Sequence, residues 1–512
     1  MTRRGLALPG AVLLALAAVF VIAWGTRPGA SQATGPAGQD TAVTSITRSC
    51  PPSAPGSGTA RISMVSLPAQ GAGANAGTAS TGSAMFSAVT TAAAASGTSP
   101  AAGKTATAGK TGGSAGAKTK ASPPVTETTP GAVATVTAPG NGGTAVAATG
   151  KMAEGFEAEQ SDASGTGLVS CTHPGSDMWF VGTGQAAGAS QVWLYLMNTG
   201  NLTASADVTI LTDTGLQSGL NSAITIAPSQ SVSENITKYV TGSQAVALHV
   251  QTNTGQVAAS AWEGNGSGGA WLPQANAPST SVVIPGLTVA SSAAKLFVVV
   301  PGSTDAQLKV VAYTPAGAVN QFPGSPVDAS AGAATPLALN SLGASAAGLK
   351  LTSNQPILAG VLVPGTGIGS FTTGVAPITE QGVVAGNPAT RGITVGLLLT
   401  APSAAARASI SVIGADGTVT TPAGDQSVAV AAGHTLAVAV SRPTQGNREP
   451  YAIVVTPQRG SGPLYAVRVV TSGTGGLSAP LTSLLPVSSA KTSITLPPAQ
   501  DSYTAVLPAA NS

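Results

Sequence analysis

From about residue 177 onward, apolar and polar positions alternate in short runs, and the runs come in sets. Val192, Leu194 and Leu196 alternate with Trp193, Tyr195 and Met197. That is the period of two expected of a strand whose faces meet different surroundings. Equivalent openings recur at 296–300 and 393–399. A second strand follows each and ends in a glycine turn: 208–211 before Gly215, 308–311 before Gly317, and 410–413 before Gly417. A strand pair then closes each unit, turning near Thr252, Thr352 and Thr456.

The threonines lie 100 and 104 residues apart and the glycines 102 and 100. Two independent landmarks with one period predict a true internal repeat. Units of this length, with short alternating strands and closely spaced turns, predict an all-β chain of serial immunoglobulin-like β-sandwiches. A propeller blade, at roughly 40–50 residues, is too short for the period. The repeats are placed at 177–283, 284–385 and 386–480, with closing strands or a tail at 481–512. No amphipathic helix is predicted beyond residue 30.

Ahead of the repeats the pattern changes. Arg3 and Arg4 precede an apolar run at 6–24, a basic start followed by a hydrophobic stretch of the kind that directs export. The run is close to the roughly 20 residues needed to span a bilayer, so residues 1–30 are read as a signal peptide or a retained signal-anchor helix. Either alternative leaves the two arginines inside and exports the bulk, as a secreted or membrane-anchored protein. Residues 31–48 read as a linker. An N-terminal β segment is expected over 49–176, interrupted at about 71–130 by an Ala/Gly/Ser/Thr-rich insert. Such composition buries too little apolar surface to offset the entropy of ordering, which predicts disorder there.

Composition narrows the functional classes. Charged residues make up 8% of the chain and the net charge is +3, against the ~25% charged residues of an average soluble domain. That excludes a nucleic-acid footprint and leaves few carboxylates for a paired-acid hydrolase. With two cysteines and an exported chain, a Cys50–Cys171 disulfide is the expected pairing. Free thiols or a metal site are the alternatives.

The segment around the second cysteine reads Cys171-Thr172-His173-Pro174-Gly175-Ser176-Asp177-Met178-Trp179-Phe180. With the upstream Cys50-Pro51 it resembles a family of secreted or membrane-anchored actinobacterial proteins defined by a domain of unknown function. The resemblance implies a location and a class, and no activity.

Candidate chemistry is sparse. Gly182 to Gly188 looks like a nucleotide loop, but a strand rather than a phosphate-binding helix follows. His173, His249 and His434 have no metal-ligand spacing. His173 beside Asp177 is the one pair of interest, and no Gly-x-Ser-x-Gly elbow accompanies it. The sharpest candidates for ligand binding are Trp179, Trp193, Tyr195, Trp262 and Trp271. They are concentrated in the first repeat, where an aromatic sheet face could stack on sugar rings or instead fill a joint with the preceding segment. The expectation is therefore a non-catalytic cell-envelope scaffold or interaction protein without cofactor or metal. Its expected partners are cell-wall glycans or envelope proteins, and the membrane if the N-terminal helix is retained. A carbohydrate-binding module is the second reading and an uncharacterised hydrolase the last.

Overall fold

The glycine turns found in the sequence punctuate the same strand order in every repeat. Gly215, Gly317 and Gly417 have φ of 98°, 122° and 80°, a left-handed conformation that glycine adopts without steric cost. The structure, a computed structural model, describes residues 39–67, 82–92 and 124–496 apart from 140, 164, 166, 218–222, 289–293, 325, 340–341, 343–345, 444–447, 474–475 and 477–479. The run at 6–24 lies outside the described residues. Among the described residues no helix is long and apolar enough to cross a membrane.

In repeat 1 one antiparallel sheet runs Gly215–Gln217, Ala204–Thr212, Ala245–Thr254, Asp177–Thr183. The other runs Gly268–Leu272, Ala258–Asn265, Gln191–Asn198, Gln230–Asn235. Val192, Leu194 and Leu196 pack across the gap on Val208, Ile210, Leu248 and Val250 in one buried cluster, so the two sheets form a β-sandwich.

Repeat 3 keeps this order. Val419–Thr420, Ala406–Ile413, Tyr451–Pro457 and Gln381–Asn387 face Leu481–Pro486, Tyr465–Ser472, Ile393–Ala401 and His434–Ala439. In repeat 2 the closing pair is one strand, Ala346–Val363. Its first half pairs with Ala306–Thr314 and its second with Lys295–Val300, so it serves both sheets.

Two boundaries differ from the sequence reading. The divisions at 283/284 and 385/386 cut through the strands Ser279–Thr288 and Gln381–Asn387. Each repeat begins one strand earlier than its most apolar run suggests.

The N-terminal segment is a fourth copy. Ser45–Cys50, Thr144–Thr149, Ser83–Ala88 and Val125–Glu127 form one sheet, and Leu168–Ser170, Glu157–Ser161, Arg61–Val65 and Ala134–Thr137 the other. Strand for strand this is the repeat order. The low-complexity stretch is thus an insertion within a sandwich. Part of it is ordered: Ser83–Ala88, Thr90–Thr91 and Val125–Glu127 are strands, and Phe86 is fully buried. The presumed linker likewise contains Gln39–Ala42 and Ser45–Cys50. Alternating apolar residues at Ala84 and Phe86 supply a buried face that the surrounding composition conceals.

The four sandwiches touch in a closed cycle. Phe297, Val299, Leu358 and Phe371 of repeat 2 join the core of repeat 1, with Gly360 admitting Val181. Leu398, Val467 and Val469 of repeat 3 join the core of repeat 2. Val65 and Val133 of the N-terminal sandwich pack on Val383, Ala385, Ile413 and Val454 of repeat 3. Val169 and Ala54 of the N-terminal sandwich then cover Tyr195, Trp262 and Trp271 of repeat 1. Sheets with two apolar faces need cover on both, and the cycle provides it. Leu481–Pro486 and Ser488–Ala490 complete the two sheets of repeat 3. A separate small unit contains the ladder between Gln39–Ala42 and Ser493–Leu496, where Thr495 Oγ1 donates to Asp40 Oδ1 at 2.6 Å.

Candidate functional site

Four edge strands, Leu168–Ser170, Gly268–Leu272, Ser370–Thr373 and Leu481–Pro486, one from each sandwich, meet in the middle of the cycle. A cavity of about 500 Å³ lies there and takes its walls from all four sandwiches. Its apolar lining includes Leu168, Phe180, Leu272, Leu484 and Leu485. That volume falls within the ~300–1,000 Å³ typical of small-molecule sites.

The charged groups in the wall are few. Arg48, on Ser45–Cys50, donates from Nη2 to Glu157 Oε1 at 2.6 Å. Burial pushes the Glu157 carboxyl up, opposed by Arg48 and reinforced by Glu159. Arg48 Nε is buried without a hydrogen-bond partner. Ser260 also lines the cavity, 2% exposed, and its Oγ has no partner. His173 and Lys491 add two more ionisable groups, and Ser170, Thr172, Gln274, Asn276, Ser488 and Ser489 add neutral polar ones. Partial desolvation of the His173 ring against the wall pushes its imidazole down, although the residue as a whole is exposed, and the charges of Arg48 and Lys491 add to the effect. His173 and Ile46 also border an open groove toward Asn198–Leu202, so the exposed His173 stands between groove and cavity.

The segment from Cys171 to Asp177 leads into this place and fastens it. Cys50 and Cys171 form a disulfide, closing a separation of 121 residues and linking the first strand of the N-terminal sandwich to the end of its last. Thr172 pairs with Ser49, and Gly175 pairs with Val257 of repeat 1. Thr172 Oγ1 donates to the Ala259 carbonyl at 3.2 Å. The chain leaving the N-terminal sandwich is thereby stitched to the first repeat on both sides of His173.

The aromatic face read from the alternation is real, and most of it is buried. Trp193 lies opposite Trp262, and Trp262 opposite Trp271. Tyr195 and Trp271 meet at 5.6 Å between ring centroids. Trp262 is 6% exposed, Trp271 8% and Tyr195 5%, while Trp193 is half-buried. The Trp262 ring lies so close over Gly264 and Gly269 that a Cβ on either would collide with it. Burial pushes the Tyr195 hydroxyl up to about 12. Val169 and Ala54 pack in one cluster with Tyr195, Trp262 and Trp271, so much of this face forms a joint with the N-terminal sandwich, while Trp262 and Trp271 also border a cleft of about 250 Å³ beside Ala54 and Gln160.

Trp179 belongs to the opposite sheet. It stacks on His249 with centroids 3.7 Å apart and planes 7° from parallel, and His249 Nε2 lies 3.0 Å from Asp177 Oδ1. Asp177 is thus the partner of His249, not of His173.

Among the described residues, no three His, Cys, Asp or Glu side chains converge as a metal site would require. Gln185–Ala187 is a single 3-10 turn leading to the strand Gln191–Asn198, which leaves the glycine segment without a phosphate-binding helix. Glu263 is fully buried in repeat 1, accepts from Thr183 N and Oγ1, and is pushed up to about 8 by burial, against the lowering effect of those bonds. It faces the sandwich interior rather than the cavity.

A model of the DUF5719 family, described as a family of unknown function, matches residues 124–441, more than half of the chain. The chain belongs to the DUF5719 family. The match begins near the end of the insert, inside the N-terminal sandwich, and ends in repeat 3. No curated protein and no solved structure matches the chain.

Sequence reasoning passed over Arg48, Glu157, Ser260 and Lys491. The available signal was a charge on a strand of a chain that has few. Arg48 is the one charge on its strand, and Glu157 alternates with Glu159 on the strand Glu157–Ser161, a pattern that marks buried and therefore paired groups.

Proposed function

We propose that this DUF5719 member is an exported, non-catalytic protein of the cell envelope that works as a rigid scaffold or interaction platform. The observation that supports this reading best is the Cys50–Cys171 disulfide, since such bonds persist in oxidising compartments outside the cytosol. A closed cycle of four sandwiches adds to it. Each sandwich is held on both sides, which suits a part that must keep its shape while others bind to it. Partners would be envelope proteins or wall polymers meeting the polar outer edges of the sheets. Membrane attachment would come from the apolar run near the N-terminus if it is retained.

The test is accessibility in intact cells producing the full-length chain. Protease added outside should degrade it without lysis, and Cys50 and Cys171 should resist alkylation until reduced. Full protection from protease together with two freely alkylated thiols would overturn the reading.

A further inference from the structure

The central cavity combines features that a plain structural joint does not need. A joint between four sandwiches is most stable when filled with apolar side chains, because unfilled volume forfeits packing contacts. Here about 500 Å³ is left open. Its wall carries two groups with unused hydrogen-bonding capacity, Ser260 Oγ and Arg48 Nε. A buried polar atom without a partner costs about 1–3 kcal/mol, a cost that a purely structural joint would avoid.

Charge narrows the ligand. Arg48 and Lys491 are cationic, and Glu157 is the sole carboxylate among the lining residues. Glu157 is already engaged by Arg48 Nη2, which leaves an excess of positive charge at the polar end. The rest of the wall combines apolar side chains, Leu168, Phe180, Leu272, Leu484 and Leu485, with neutral polar ones such as Ser170, Gln274, Asn276 and Ser488, and holds no further acid. We propose that the cavity binds a single-chain amphiphile bearing a carboxylate, with its head between Arg48, Lys491 and His173 and its hydrocarbon chain among those leucines. The open groove shared at Ile46 and His173 gives such a molecule its way in. The site is independent of whether the protein acts as a scaffold.

Calorimetric titration of the delipidated full-length chain tests this, with dodecanoate below its micellar concentration and 1-dodecanol below its solubility limit as probes. Dodecanoate should bind saturably with one site per chain, and dodecanol at least tenfold more weakly. Lys491→Glu should weaken dodecanoate at least tenfold and leave dodecanol within twofold. Ser260→Leu, which fills the cavity from within, should weaken both at least tenfold. A thermal unfolding curve would show that each variant is folded, and Lys491, being exposed, is replaceable without disturbing the core. Absence of saturable dodecanoate binding, equal binding of the alcohol, or wild-type affinity in both variants would overturn the proposal.

Discussion

Arg468 Nη1 lies 2.9 Å from Glu159 Oε2, an ion pair between residues 309 positions apart in the chain. Arg468 is on a strand of repeat 3 and Glu159 on a strand of the N-terminal sandwich, so the pair joins the last copy to the first. Both side chains are buried, at 0% and 4% exposure. Gly386 sits at the crossing, its N–H donating to Glu159 Oε2 at 3.1 Å and its carbonyl accepting from Arg468 Nη1 at 3.4 Å.

Removing one member of this pair should be costly, because it strands the other charge in the interior. Arg468→Met or Glu159→Gln alone is expected to lower stability by about 3–5 kcal/mol. The double variant should recover part of that loss. Chemical denaturation of the four members of the cycle checks the coupling, and additive single effects would show that the two residues act separately.

Glu263 should make stability depend on pH. Its folded value of about 8 lies well above the ~4.3 of an unfolded glutamate. Between those limits the folded chain holds a proton that the unfolded chain has released. Stability is then full below the unfolded value and falls as pH rises toward the folded one, by up to about 1.4 kcal/mol per pH unit. Glu263→Gln should flatten the slope over that window. A residual slope of the same sign is expected from Glu157, which is also raised. Denaturant midpoints at pH 5, 6.5 and 8 measure it, and identical slopes in both proteins would reject the assignment.

Breaking the disulfide should loosen the N-terminal sandwich first. Cys50→Ser/Cys171→Ser is expected to cost about 2–5 kcal/mol. Hydrogen exchange should rise in Ser45–Cys50 and Thr144–Thr149 before it rises in the repeats. Uniform exchange across all four sandwiches would mean that the bond stabilises the cycle as a whole.

Trp262→Ala should act on stability. A buried tryptophan truncated at a packed joint costs about 3–5 kcal/mol, and the loss should appear as a lower thermal midpoint. If the variant instead kept wild-type stability and lost binding to cell-wall glycan, the aromatic cluster would be a ligand face after all.

Local chemistry in the sequence determined the all-β class, the turn glycines and the alternation that separates Val192, Leu194 and Leu196 from Trp193 and Tyr195. Turns and strand faces follow from nearest-neighbour sterics and from the two-residue period, both of which are written in short stretches of chain. The Cys50–Cys171 pairing was legible for a related reason, since two cysteines permit one intramolecular bond.

Tertiary structure alone decided the rest. The fourth sandwich was hidden because the insert separates its strands and the repeat landmarks have no counterpart there. That the aromatic face takes part in a joint depended on Val169 and Ala54, which arrive from another sandwich. The Arg468–Glu159 pair and the cavity bordered by Arg48, His173, Ser260 and Lys491 are products of the closed cycle. Burial depends on which surfaces meet, and no periodicity along one strand records what will lie against it.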